Sequence, residues 1–132
     1  MLSTAPVRRL SPLIALSVLA LAGCGGDDDA PGRTATVASG TTLTVVGDEY
    51  SFDPETIVLT GGGELTIELD NEGVLAHNLR VFDGETDVGG TPTFVGGDPR
   101  PGTVKVEPGE YELICTVGDH ADLGMTGKLT VK

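Results

Sequence analysis

The sequence predicts an all-β fold, a Greek-key β-sandwich of seven to eight strands confined to residues 41–132. Three observations carry that reading. Apolar and polar side chains alternate along several short segments, the pattern of strands with one buried face. Those segments are separated by turns drawn from 20 glycines and 8 prolines. No apolar stripe of helical period appears after residue 23.

The N-terminal part lies outside that domain. Arg8 and Arg9 precede an apolar run over residues 10–22 that ends in Leu21-Ala22-Gly23-Cys24. The run has the form of an export signal and is too short to span a bilayer comfortably. Its end resembles the bacterial lipobox, in which the cysteine is lipidated before cleavage ahead of it. Residues 1–23 are therefore expected to be a lipoprotein signal peptide, with Cys24 as the lipidation site. Residues 24–40 follow, with Asp27, Asp28 and Asp29 among glycine, alanine and threonine. With almost nothing large to bury, they read as a flexible acidic tether. The aspartate run lacks the spacing of a calcium loop.

Alternation begins at Thr41, with Leu43 and Val45 set against Thr42 and Thr44. Tyr50 to Pro54 then turns the chain into a strand over 56–60, and Gly61-Gly62-Gly63 is expected to close a hairpin. Residues 64–70 form the clearest half-buried antiparallel strand, with Leu65, Ile67 and Leu69 on one face. After a turn at Asn71-Glu72-Gly73, a strand over 76–82 places His77, Leu79 and Val81 on the same side. Residues 83–102 read as a long crossover loop with at most one short strand near 93–95. Val104 and Val106 mark the next strand, and Pro108-Gly109 turns it into a strand carrying Tyr111, Leu113 and Cys115 inward. Tyr111, placed just after that turn, is positioned for a tyrosine corner. Residues 126–131 close the fold with Leu129 and Val131 inward.

Charge narrows the function. The chain carries 8 Lys/Arg against 20 Asp/Glu. Both signal arginines leave with the signal peptide, so six basic against twenty acidic side chains remain, a net charge of −14. No basic stripe exists for nucleic acid, and adhesion to anionic lipid is disfavoured. Attachment to a membrane would come from acyl chains at Cys24. An acidic head suits a monomer that steers toward a basic partner.

The chemistry is concentrated in one loop. Cys115, His120 and Met125 lie within eleven residues, and His77 supplies a second imidazole from upstream. Two imidazoles, one thiolate and one weak thioether are the donor set of a blue-copper electron-transfer site. Lipidation of Cys24 would leave Cys115 the lone thiol of an exported protein, and metal ligation explains its survival better than a Cys24–Cys115 disulfide.

On Tyr50 to Pro54, Asn71 to Asn78 and Tyr111 to Met125, residues 41–132 resemble the cupredoxins, the single-domain blue-copper family that includes plastocyanin, azurin and sulfocyanin. The resemblance implies His77, Cys115 and His120 as equatorial ligands of one type 1 copper ion and Met125 as the weak axial ligand. It also implies that Asn78 bridges the two ligand-bearing segments and orients the thiolate. Four residues separate Cys115 from His120, as in azurin, and four more separate His120 from Met125, as in plastocyanin. Electrons would pass through the exposed edge of His120, within an apolar patch of Leu75, Ala76, Ala121 and Leu123. The partner would be a redox protein, a cytochrome or a membrane oxidase or reductase.

The resemblance therefore implies a membrane-tethered, extracytoplasmic electron carrier, with copper storage or delivery as the alternative. Catalysis by this chain alone is disfavoured. A multicopper enzyme needs histidines beyond His77 and His120, and a binuclear purple site needs two cysteines in one loop.

Overall fold

The computed structural model describes residues 32–132. The expected signal peptide, Cys24 and most of the tether lie outside the described residues. Ten strands form: β1 (Thr34–Ala38), β2 (Thr42–Asp48), β3 (Ser51–Asp53), β4 (Thr56–Thr60), β5 (Gly63–Asn71), β6 (Arg80–Asp83), β7 (Thr86–Gly90), β8 (Arg100–Val106), β9 (Gly109–Ile114) and β10 (Thr126–Val131). No helix occurs among the described residues.

The strands make two sheets, one ordered β1-β4-β10-β9-β6-β7 and the other β3-β2-β5-β8. Their facing sides bury the residues that alternation marked. Leu65, Ile67 and Leu69 of β5 and Val104 and Val106 of β8 meet Ile57 and Leu59 of β4, Leu113 of β9, and Leu129 and Val131 of β10. Period-two burial follows because successive side chains of a strand point to opposite faces. Each such aliphatic side chain gains about 1.5–3 kcal/mol on leaving water.

Several expectations are corrected by the pairing. The strand count is ten among the described residues, above the expected seven to eight. β1 lies within the stretch read as tether and pairs in parallel with β4 from Thr34↔Thr56 to Ala38↔Thr60. Small, threonine-rich strands at a sheet edge bury too little to show an apolar pattern. The glycines at 61–63 do not close a hairpin, since β4 belongs to one sheet and β5 to the other. β5 is antiparallel only to β8 and runs parallel to β2. A turn signal marks where the chain reverses, not which sheet it enters. The expected long loop contains β7, the start of β8, and a two-bond bridge between His77 and Phe94.

The tyrosine corner forms as expected. The Tyr111 hydroxyl donates to the Glu107 carbonyl at 2.9 Å and accepts from the Glu107 amide at 3.1 Å. Tyr111→Phe is expected to cost about 1–2 kcal/mol, the net value of such bonds. Chemical denaturation with an unchanged m-value would measure it.

Candidate metal centre

The three donors arrive from two segments held at one end of the sandwich. Cys115 follows the last residue of β9, and its amide donates to the Met125 carbonyl at 3.1 Å across the mouth of the loop. The loop then winds tightly. The His120 amide reaches the Val117 carbonyl at 3.1 Å, the Leu123 amide reaches the Asp119 carbonyl at 3.1 Å, and the Met125 amide reaches the His120 carbonyl at 3.0 Å. These bonds occupy the backbone of a segment without regular structure and fix where His120 points.

His77 is held from the opposite side. Its amide and carbonyl both bond to Phe94, each at 3.1 Å. The preceding turn is shaped by buried Asn71, whose amide nitrogen donates to the Leu75 carbonyl at 3.0 Å and the Phe94 carbonyl at 2.9 Å. Its carbonyl oxygen accepts from the Gly73 amide at 3.0 Å. The sequence marks Asn71 only as a turn residue; nothing there distinguishes a buried scaffold asparagine from an exposed one.

Asn78 links the His77 segment to the one that follows Cys115. It is buried, its amide nitrogen donates to Thr116 Oγ1 at 2.8 Å and Thr93 Oγ1 at 2.9 Å, and its oxygen accepts from the Thr116 amide at 2.8 Å. One side chain therefore ties the His77 segment to the residue after Cys115.

The donors converge. His77 Nδ1 lies 3.1 Å from His120 Nδ1, and Cys115 Sγ lies 3.9 Å and 3.6 Å from them respectively. All three residues are buried, His77 and Cys115 at 0% and 1% exposure and His120 at 7%. These distances define an acute triangle whose interior holds a point about 2.1 Å from every corner. Bonds from a first-row ion to imidazole and thiolate run about 2.0–2.3 Å. One ion therefore fits between these donors without moving them.

Met125 is wholly buried and joins the loop through its backbone. Its terminal methyl lies against Gly47 of β2, where an added Cβ would come within 3.3 Å of it. Tyr50 packs against His120, with ring centroids 4.9 Å apart and the planes tilted by 59°.

Glu49 is a residue the sequence reading missed. Its carboxylate accepts from His77 Nε2 at 2.8 Å, the Leu75 amide at 2.9 Å and the Val74 amide at 3.2 Å. The Leu75 hydrogen bond is the main cause of a carboxyl pKa lowered from 4.5 to about 2; desolvation opposes it, and the His77 ring and Val74 amide add to the lowering. An acidic residue after a strand gave no signal against a background of twenty.

No family model matches the chain, and no curated protein sequence matches it. Solved structures do. The dithionite-reduced auracyanin of Roseiflexus castenholzii superposes with a TM-score of 0.65 at 20% identity, over 71% of this chain and 98% of its own. Auracyanin A of Chloroflexus aurantiacus, described as a "blue" copper protein, gives 0.63 at 23%, over 74% and 100%. Rusticyanin of Thiobacillus ferrooxidans gives 0.58 at 25%, over 80% and 86%. The chain has a cupredoxin-like fold with a buried His-Cys-His cluster at one end.

Proposed function

We propose that this protein is an exported electron carrier that holds one type 1 copper ion between His77, Cys115 and His120, with Met125 as weak axial ligand. The carrying observation is the triangle of two Nδ1 atoms and one Sγ, with room for a single ion at bonding distance from each. When bound there, copper supplies a reversible one-electron couple, with the sulfur donors favouring Cu(I) and imidazole serving both states. The protein's own contribution is stillness. Asn78, Asn71, the Phe94 bridge and the wound loop hold the donors through backbone and buried side-chain bonds. Donors that do not move between states lower the reorganisation that each transfer requires.

The exit for the electron lies at His120. Among the described residues the exposed large apolar side chains are Val74, Leu75, Val95 and Leu123, and each lies in a segment that carries or adjoins a donor. Val74 is 83% exposed and Leu123 52%. Apolar surface gathered at one functional end marks a docking face. Leu123→Asp is expected to slow electron exchange with the physiological partner at least tenfold while leaving exchange with a small inorganic oxidant nearly unchanged. Unaltered exchange with the protein partner would move the docking face elsewhere.

Lipidation at Cys24 would give that face a direction. β1 starts at Thr34, which pairs with Thr56, and Thr56 pairs in turn with Lys128, three residues along the chain from Met125. The chain therefore joins the domain in the half that carries the donors. Nine residues separate Cys24 from Thr34, a span of at most about 35 Å over the ten Cα steps. Such a tether would keep the copper end near the membrane, in reach of a membrane oxidase, a reductase or a bound cytochrome.

Stopped-flow reduction alongside a copper-transfer assay tests the carrier role. Fast, reversible reduction with full metal retention is the expected result. Ready release of copper to an acceptor would make the protein one of storage or delivery instead.

A further inference from the structure

His77 is wholly buried, and both its ring nitrogens are engaged. Nδ1 faces the centre of the donor triangle, and Nε2 meets Glu49 at 2.8 Å. A carboxylate only accepts hydrogen bonds, so Nε2 must carry the proton of this pair. Neutral His77 is thereby left with a bare Nδ1 lone pair aimed at the metal position.

The carboxylate is itself fixed. Three donors hold its two oxygens, from the Val74 and Leu75 amides and the His77 ring. Gly73 leaves the space it occupies. A Cβ at that position would overlap Glu49 Oε1 and lie 2.8 Å from His77 Nε2. Glu49 side-chain exposure is 21%, so its charge is only partly screened from the ring.

We propose that Glu49 is a positioning residue for the copper ion: it locks His77 into the Nε2–H tautomer and, through its charge, stabilises Cu(II) relative to Cu(I). This rests on the copper reading above. The negative carboxylate makes the imidazole a stronger electron donor, as partners behind a ligating histidine do. The more highly charged oxidised ion gains more from that than the reduced ion. The protein would therefore use Glu49 to hold its potential below the value that the donor set alone would give.

The test has two arms. In the first, long-range proton–nitrogen NMR of the metal-free wild-type protein reads the His77 tautomer. Nε2–H is expected, and an Nδ1–H tautomer would overturn the proposal whether or not the protein takes up copper. In the second, Glu49→Gln keeps the shape and removes the charge. Cu(II) affinity is expected to fall about tenfold, the low end for partners behind a ligand, with Cu(I) affinity little changed. That difference raises the one-electron midpoint potential by about 59 mV. An unmoved midpoint in a variant that still binds copper would also overturn it. Failure of the wild-type protein to bind copper would instead defeat the carrier reading, with the tautomer still deciding the Glu49 pairing.

Discussion

Cys115→Ser is expected to abolish the intense visible absorption of the copper-loaded protein and to cut Cu(I) affinity by more than about 100-fold. The loss exceeds the roughly 10–100-fold typical of partners behind a ligand because a donor itself is removed. In the proposed copper site that band would arise from thiolate-to-copper charge transfer, and Cys115 is the free cysteine of the described residues. The fold should survive. Cys115 is 1% exposed and has the two imidazoles as sulfur neighbours, so a serine hydroxyl keeps potential partners and costs at most about 3 kcal/mol. A variant that keeps both colour and Cu(I) affinity would mean that copper binds away from the triangle.

Gly102→Val is expected to destabilise the domain by at least about 3 kcal/mol, the upper end for overpacked sites. Gly102 lies in β8 opposite Ile67, and its backbone abuts that of Gly90, the last residue of β7 in the other sheet. A Cβ at 102 would overlap the Gly90 carbonyl and lie 2.5 Å from the Thr91 amide nitrogen. These are backbone atoms and cannot swing aside as a flexible side chain would. Gly90 has φ +141°, a conformation that favours glycine, and a Cβ there would overlap the Leu79 carbonyl, so Gly90 is itself confined. For a domain of this size the loss corresponds to a fall in Tm of more than about 10 °C. Lys105→Ala, on the exposed face of β8, should stay within about 0.5 kcal/mol of the wild type. A Gly102→Val protein melting beside the wild type would show that the β7–β8 edge can open without cost.

The sandwich was legible wherever one face of a strand buries large side chains. β5 and β10 show this most clearly, since Leu65, Ile67, Leu69, Leu129 and Val131 alternate in the sequence and are buried in the structure. β1 and β7 were not legible. TATVA and TDVGG bury little, and they are strands because sheet neighbours supply their hydrogen bonds. Sheet assignment was hidden for a similar reason. The glycine turn at 61–63 looks the same whether the chain returns beside β4 or crosses to the second sheet.

The candidate site divides along the same line. His77, Cys115 and His120 could be marked because their side-chain chemistry is rare in this chain, which has two histidines and two cysteines. Asn78 could be marked only through its resemblance to a family position, and its three hydrogen bonds to Thr93 and Thr116 give that position a physical role. Glu49 and Asn71 could not be marked. Glu49 is one of twenty acidic residues and Asn71 sits in a turn where asparagine is ordinary, and what sets these two apart is the donor geometry that tertiary structure brings to them.

X-ray absorption fine structure at the copper edge of the Cu(II)-loaded protein reads the central arrangement directly. One ion per chain is expected, with two nitrogen scatterers and one sulfur scatterer in its inner sphere, at about 2.1 Å on average. An inner sphere of nitrogen and oxygen alone, with no sulfur, would contradict it.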